Sequence, residues 1–204
     1  MSGRIHFFYN MDTCIGCGSC QVACKDRHHL LPGEFFRRVL TETVETPEGE
    51  RQIFFSAGCN HCENPACAAA CPTGAMHKLE NGAVLHEDSL CIGCGRCYWA
   101  CPYGSVSLSR TKGISGKCDL CGGLREQGLP PACIAACPTN SLRLETEEAG
   151  KRLELPFLPS FEETEPSTRV KLPRAMKQLP DAELLWETEA SQMTKQPREA
   201  EVEP

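Results

Sequence analysis

Apolar residues along this chain occur in short runs with two different periods. The segments FFRRVLTETVE and RQIFFSA are β-rich runs of mixed apolar and polar residues, and TPEGE between them carries the Pro and Gly of a turn. They predict a β-hairpin at residues 35–56, inserted between two cysteine-rich regions. Further short apolar runs predict small strands at 75–79, 83–87, 105–109 and 141–145.

Short helical segments follow loops that contain cysteine. GSCQVACKDR (18–27), NPACAAAC (64–71) and GRCYWAC (95–101) each place their last two cysteines four residues apart, which puts both on one helical face. From about residue 146 the composition shifts to Pro, Glu, Thr and Lys with scattered apolar residues. That composition predicts an extended, partner-binding arm at 146–204.

The sixteen cysteines fall into four groups of four, and this internal repeat organises the chain. Aromatic residues are few, with 8 Phe, 3 Tyr and 2 Trp, so we expect an inorganic group to take over part of the interior. The groups are Cys14, Cys17, Cys20 and Cys24; Cys59, Cys62, Cys67 and Cys71; Cys91, Cys94, Cys97 and Cys101; and Cys118, Cys121, Cys133 and Cys137.

The third group has the spacing C-x2-C-x2-C-x3-C-P, which bacterial ferredoxins use to bind [4Fe–4S] clusters. Its first three cysteines can reach three irons of one cube, and Gly93 and Gly95 allow the backbone to curl around it. The fourth cysteine of such a run binds a second cluster, so the motifs are expected to work in pairs.

The other groups are variants of this run. The first has the same spacing with Lys25 in place of the proline, whereas the second and fourth lengthen the middle gap to four and eleven residues and keep Pro72 and Pro138. We therefore predict four [4Fe–4S] clusters bound by all sixteen cysteines.

Crossed ligation predicts which cysteines share a cluster, although the spacing alone leaves the nesting of the pairs open. The predicted sets are Cys59, Cys62 and Cys67 with Cys101; Cys91, Cys94 and Cys97 with Cys71; Cys14, Cys17 and Cys20 with Cys137; and Cys118, Cys121 and Cys133 with Cys24. The predicted fold is α+β, with tandem bacterial-ferredoxin-like two-cluster lobes: an inner lobe at 57–101 and an outer lobe built from 1–34 and 102–145.

Other uses of these residues are disfavoured. Zinc sites take two separated C-x2-C pairs and require neither a third cysteine at i+6 nor a C-P ending, and sixteen ligands leave no cysteine for disulfides. His61 is a candidate for tuning a cluster through a hydrogen bond near a sulfur. The remaining side chains are interpreted as surface residues, neighbours of the clusters or ordinary packing: His28, His29, His77, His86, Tyr98 and Trp99.

Charge and hydropathy narrow the function. A formal net charge of −6 without a sustained run of Lys and Arg argues against nucleic acid as a partner. The sequence shows neither a signal-peptide pattern at its start nor eighteen consecutive apolar residues, so we expect no membrane span. Clusters with four cysteine ligands leave no open iron for a substrate, which favours electron transfer over catalysis.

Several longer motifs carry a family resemblance: CNHCENPAC at 59–67, CPTGAMHK at 71–78, ACPYG at 100–104 and KCD at 117–119. With them the sequence resembles the four-cluster iron–sulfur subunits of the molybdopterin oxidoreductase superfamily, in particular those of the anaerobic dimethyl sulfoxide reductase type. The resemblance implies an anaerobic respiratory complex in which this subunit relays electrons from an integral membrane quinol-oxidising subunit to a molybdopterin-containing catalytic subunit. It also implies that Pro72, Thr73 and Tyr103 lie in segments facing the quinol-oxidising partner.

The resemblance further implies a location peripheral to the inner membrane, on the periplasmic face by co-export with the catalytic subunit, with the cytoplasmic face as the alternative. Polysulfide, tetrathionate and formate oxidoreductases use similar subunits, so the terminal substrate stays open. A free-standing polyferredoxin is the competing class. The tail favours a subunit, because LELPFLPSF and AELLWE can contact neighbouring proteins.

Overall fold

The computed structural model describes residues 5–46, 49–146 and 163–172, and within them the fold combines small sheets with short helices. This mixed α and β content agrees with the predicted fold class. In chain order the elements are β1 Ile5–Asn10, α1 Ser19–Arg27, β2 Arg37–Thr46, β3 Gly49–Gly58, α2 Ala66–Ala69, β4 Met76–Lys78, β5 Val84–His86, a 3-10 turn at Asp88–Leu90, α3 Arg96–Ala100, β6 Val106–Leu108, β7 Ser115–Lys117, α4 Gly122–Glu126, α5 Ala132–Ala135, β8 Leu142–Thr146 and β9 Arg169–Lys171.

The predicted hairpin is confirmed, and it spans 37–58 where the sequence indicated 35–56. Strands β2 and β3 pair antiparallel from Arg37 opposite Gly58 to Thr46 opposite Gly49. The end near Arg37 is buried together with Ile53 and Phe55, while most side chains towards the turn are more exposed. The hairpin therefore contributes its base to the core, and Val44 adds a buried position nearer the turn.

A three-stranded sheet joins the two ends of the described chain. Strand β1 lies in its centre, antiparallel to β8 with Phe7 opposite Leu144, and parallel to β9 with Tyr9 opposite Val170. Phe7 and Tyr9 are almost fully buried, and their neighbours in β1 are mostly buried as well. Because both faces are covered, β1 lacks the alternation of a half-exposed strand.

Two smaller hairpins lie next to the cysteine motifs. β4 pairs with β5 and β6 with β7, each over three residues. The predicted small strands are confirmed as β4, β5, β6 and β8. Helices α2, α3 and α5 have only four or five residues, too few to be stable alone, and a cysteine is the buried residue of each.

Cysteines occupy core positions. One buried cluster combines β1, the hairpin base and Leu142 with Cys20, Cys59, Cys118 and Cys133. A smaller one joins Met76, Val84 and Val106 to Cys67 and Cys97. Most of the second lies within the segments predicted to form the inner lobe, but Val106 belongs to the segment assigned to the outer lobe, and the two-lobe division itself stays a prediction.

The described part of the C-terminal region packs on its own chain. β9 adds to the edge of β1, and the amide of Met11 donates to the carbonyl of Lys171 at 3.0 Å. The rest of the predicted partner-binding arm, including LELPFLPSF and AELLWE, lies outside the described residues. Among the described helices, none combines the length and apolar character needed to cross a membrane.

Candidate iron–sulfur centres

The four C-x2-C loops share one backbone feature. The residue just before the second cysteine has a positive φ in every motif, which places it in the left-handed region. These residues are Gly16 (68°), His61 (42°), Gly93 (71°) and Leu120 (58°). The loops therefore curl in the same way although two of them lack glycine at this position, a similarity that sequence inspection missed.

At the two glycine positions a side chain is excluded by close neighbours as well as by conformation. A Cβ at Gly16 would overlap the ring of Phe54, and one at Gly93 would overlap the carbonyl oxygen of Gly113. The prediction that Gly93 is needed for loop curvature is thus supported both by its positive φ and by this close approach.

Main-chain amides donate hydrogen bonds to cysteine sulfurs at both ends of the motifs. The bonds are His61 to Cys59 (3.5 Å), Leu120 to Cys118 (3.4 Å), Met76 to Cys71 (3.4 Å), Ser105 to Cys101 (3.5 Å) and Ser141 to Cys137 (3.2 Å). N–H groups aimed at sulfur stabilise the thiolate form, which is the form that binds iron. This donor set fits cysteine-ligated iron–sulfur clusters.

One cavity brings together Cys59, Cys62, Cys67 and Cys101. Burial, together with the neighbouring thiolates of Cys59 and Cys101, raises the pKa values of Cys62 and Cys67 to about 12. Crowded thiolates in a buried space are unfavourable without a compensating cation. Four thiols around one space therefore suit a cationic iron–sulfur core.

A second cavity brings together Cys14, Cys17, Cys20 and Cys137. Its most exposed member is Cys17, whose sulfur lies 3.4 Å from the Ser19 hydroxyl. That hydroxyl and the Ser19 amide lower the pKa of Cys17. Both cavities contain three cysteines of one motif and the last cysteine of a distant motif, as crossed ligation requires.

The other two sets are linked by electrostatics. Burial raises the pKa of Cys24 to about 12, Arg37 opposes the shift, and the thiolates of Cys133 and Cys121 add to it. Burial also raises the pKa of Cys97. The hydrogen bond with the Ser115 hydroxyl lowers this pKa, and the nearby thiolates of Cys71 and Cys91 raise it further. Thiolates of different predicted sets act on each other in the same way, Cys133 on Cys20 and Cys59 on Cys118, so for these two sets the ligation stays a prediction from spacing.

Two buried cations lie among the cysteines. Arg37, 4% exposed, donates through Nη1 to the carbonyl and hydroxyl oxygens of Ser56 at 2.9 and 3.0 Å, and Ser56 Oγ lies 3.4 Å from Cys20 Sγ. Lys117, also 4% exposed, lines the cavity of Cys59 and donates to the carbonyl of Cys118 at 2.8 Å. Each cation can offset the negative charge of ligated clusters. No motif or spacing in the sequence indicates either role.

Lys25 has a structural role at the position where the other motifs have proline. Its Nζ donates to the carbonyl oxygens of Leu31 and Glu34 at 2.7 and 2.8 Å. Its charge also lies near the C-terminus of α1, where a cation interacts favourably with the helix dipole. Lys25 thus fixes the segment that connects the first motif to the hairpin.

The histidines occupy different surroundings. The His61 ring is buried, with Nδ1 accepting from the Val84 amide at 3.0 Å, and burial holds its pKa well below the usual value. Its bond to a cysteine sulfur comes from the main chain and not from the ring. His28 Nε2 lies 3.5 Å from Asp119 Oδ1 and 3.8 Å from Cys121 Sγ, which makes it a neighbour of a predicted ligand.

Exposed apolar side chains flank the two most exposed cysteines, Cys17 and Cys94. Ile15 and Val22 are 59% and 65% exposed in the first motif, and Ile92 and Trp99 are 68% and 72% exposed at the same motif positions in the third. The interpretation of Trp99 as ordinary packing is wrong: its ring lies edge-on to Tyr98 at 5.3 Å and is largely open to solvent.

The segments that the resemblance assigned to a partner differ in exposure. Pro72 and Thr73 are exposed, whereas Tyr103 is half-buried and its phenol lies 2.7 Å from Thr164 Oγ1. Tyr103 is therefore covered in part by the C-terminal region of the same chain.

Comparisons with known proteins give one consistent result. Residues 51–147 match the 4Fe-4S dicluster domain and residues 6–26 match the 4Fe-4S binding domain. The B subunit of anaerobic dimethyl sulfoxide reductase from Escherichia coli (strain K12) is 39% identical over 150 residues, covering 70% of this chain and 73% of that protein. The corresponding B subunit from Haemophilus influenzae is 37% identical over 180 residues, covering 81% and 87%. The thiosulfate reductase electron transfer subunit PhsB from Salmonella typhi is 40% identical over 149 residues, covering 70% and 76%.

Proposed function

This protein belongs to the family of iron–sulfur subunits of molybdopterin oxidoreductases that includes the B subunit of anaerobic dimethyl sulfoxide reductase, and on this basis we propose that it relays electrons between a membrane quinol-oxidising subunit and a molybdopterin-containing catalytic subunit. Each bound [4Fe–4S] cluster supplies one-electron chemistry. The observation that carries the proposal is the gathering of three cysteines of one motif with the last cysteine of another around a common cavity.

The sixteen cysteines hold four clusters in the crossed sets given by their spacing. Cys101 completes the set of the second motif and Cys137 that of the first, in agreement with the lining of the two cavities. Cys71 completes the set of the third motif and Cys24 that of the fourth by the same crossed pattern. Every ligand position is a cysteine, so the subunit transfers electrons without binding a substrate at iron.

The exposed surfaces around Cys17 and Cys94 are contact sites for protein partners. Aromatic side chains such as Trp99 are enriched in the buried centre of protein interfaces, and a contact there would also remove the exposed Ile92 from water. Pro72 and Thr73 follow the cysteine that shares a predicted set with Cys94 and are also exposed. This surface therefore belongs to an interface with the quinol-oxidising or the catalytic subunit.

Dimethyl sulfoxide is the terminal acceptor of the proposed complex, since two subunits of dimethyl sulfoxide reductases match most of this chain. A reductase of another sulfur compound is the second candidate, because the Salmonella thiosulfate reductase subunit is equally similar. The complex lies at the inner membrane, with its hydrophilic subunits on the periplasmic face. Purifying the intact complex and assaying it with each acceptor distinguishes these two candidates.

The deciding experiment is anaerobic iron and sulfide analysis with EPR on the protein purified together with its partners. We expect about sixteen irons and sixteen sulfides per chain, with molybdenum in the copurified catalytic subunit. Cys101→Ser and Cys71→Ser test the crossed sets, because each is expected to alter a different cluster signal. Stoichiometric zinc, or full iron content in both serine variants with unchanged spectra, contradicts the proposal.

A further inference from the structure

Residues 163–168, called the strap below, lie across the loop that joins Cys59 to the helix of the second motif. The strap accepts bonds from the loop amides, Glu63 to the carbonyl of Glu165 at 2.9 Å and Asn64 to that of Thr164 at 3.1 Å. In return the Ser167 amide donates to the carbonyl of Asn60 at 3.0 Å. Three main-chain hydrogen bonds in five loop residues give this contact the character of strand pairing.

Side-chain hydrogen bonds to the same loop and the strand that follows also hold the strap in place. Glu165 Oε1 accepts from the Asn64 amide group at 3.3 Å, and the Ser167 hydroxyl donates to the carbonyl of His61. Immediately after the strap, β9 pairs with β1, and Lys171 Nζ lies 3.3 Å from Asp12 Oδ2. The strap is therefore held in register over the loop.

Thr164 places a hydroxyl group inside the cavity of the second motif. It is 5% exposed and lines the cavity together with Cys59, Cys62, Cys67 and Cys101. Its Oγ1 lies 2.7 Å from the phenol oxygen of Tyr103, two residues after Cys101. Thr164 therefore lies among the cysteines that are predicted to hold this cluster.

We infer that the strap closes the second-motif site and that Thr164 is a positioning residue for the cluster held there, with the Tyr103 phenol donating to Thr164 Oγ1 and the Thr164 hydroxyl donating to a cysteine sulfur of the same cavity. The inference rests on the proposed ligand set of Cys59, Cys62, Cys67 and Cys101. A donor at a ligand sulfur stabilises the more negative, reduced form of a cluster and raises its reduction potential.

The strap gives the C-terminal region a second role besides contact with partners. A threonine from a segment about a hundred residues away in sequence supplies a hydrogen bond that the second motif does not contain itself. The second-motif site therefore includes a residue of the C-terminal region.

The test is an EPR-monitored redox titration of the purified complex with Thr164→Val, Thr164→Ser and Thr168→Val. Thr168 is a matched control, since it is a buried threonine of the same strap that does not line the cavity. We expect Thr164→Val to shift one midpoint potential to a more negative value with unchanged iron content. Thr164→Ser is expected to restore it, and Thr168→Val to leave all four potentials unchanged.

Two further variants make the result decisive. Tyr103→Phe keeps Thr164 but removes its donor, and a smaller negative shift of the same cluster is expected. Unchanged potentials in both Thr164→Val and Tyr103→Phe overturn the role of the strap, as does an equal shift in Thr168→Val. Cys62→Ser is measured in parallel: if it leaves the iron content and every EPR signal unchanged, the proposed ligand set is wrong rather than the strap alone.

Discussion

Replacing Arg37 by methionine removes a buried positive charge while keeping much of the side-chain volume. In the structure the guanidinium donates to Ser56 and stacks 4.6 Å from the centre of the Phe7 ring. Ser56 Oγ is in turn 3.4 Å from Cys20 Sγ. An electron added to a cluster at Cys20 increases its negative charge, so the nearby cation favours the reduced form and its loss makes the reduction potential more negative.

The size of the shift follows from the distances. Contacts of 3.0 and 3.4 Å place the charge no more than about 6.5 Å from the sulfur of Cys20. At an effective dielectric constant of about 20, two unit charges at that distance interact by about 2.5 kcal/mol. For a one-electron couple this equals about 110 mV, and because the electron is spread over a whole cube we expect about half of it, roughly 50 mV.

Redox titration of the intact complex followed by EPR measures this shift, and Arg38→Met is the control. Arg38 is the next residue of β2, points to the other side of the strand and lies over the Phe35 ring at 4.7 Å. We expect Arg37→Met to lower the potential of the cluster at Cys20, Arg37→Lys to recover most of it, and Arg38→Met to change nothing. Equal potentials in the Arg37→Met and wild-type complexes would refute the electrostatic reasoning.

Three further outcomes are expected. Gly93→Ala should reduce the iron content by about one cluster, because its Cβ meets a carbonyl oxygen. Gly113→Ala is the control: this position has a similar φ but open space around a Cβ, so the variant should lose only about 1 kcal/mol of stability. Equal iron loss in both variants would contradict the clash at Gly93. In the cluster-free protein at pH 8, iodoacetamide should label Cys17 well before Cys62, because hydrogen bonds lower the pKa of the Cys17 thiol and burial raises that of Cys62. Mass spectrometry measures the order of labelling, and the reverse order would contradict this assignment. Lys117→Met should lower the free energy of unfolding by about 2–4 kcal/mol, because the carbonyl groups of Val84 and Cys118 lose their donor. Anaerobic urea denaturation measures the change, and an unchanged free energy of unfolding would show that this lysine is not needed for folding.

Where the sequence carried a periodic or spacing signal, the prediction of secondary structure was confirmed. The hairpin was visible because β2 and β3 are β-rich runs around a Pro–Gly turn, and β4, β5, β6 and β8 were visible as short apolar runs. Strand β1 was missed because both of its faces are covered, and α4 because it lies in the long gap of the fourth motif, which carries no cysteine.

The candidate site was predictable in its residue types and less so in its surroundings. Cysteine spacing indicated the clusters, because three ligands on one loop have to fall at fixed intervals. Nothing in the sequence reveals that Arg37, Lys117 and Thr164 lie beside the cysteine sites, since each depends on contacts between distant segments. The strap was also hidden, because its composition is that of an extended arm.

The residue type just before the second cysteine of each motif correlates with the exposure of that cysteine. All four loops adopt the same left-handed conformation there, yet the first and third motifs use glycine, and the second and fourth use His61 and Leu120. Both of these side chains are almost fully buried, and they anchor their loops in the core. Where glycine stands instead, no side chain anchors the loop, and the following cysteine, Cys17 or Cys94, is exposed. A change of one residue type at a fixed backbone conformation thus separates the two motifs whose second cysteine is exposed from the two whose second cysteine is at least partly covered.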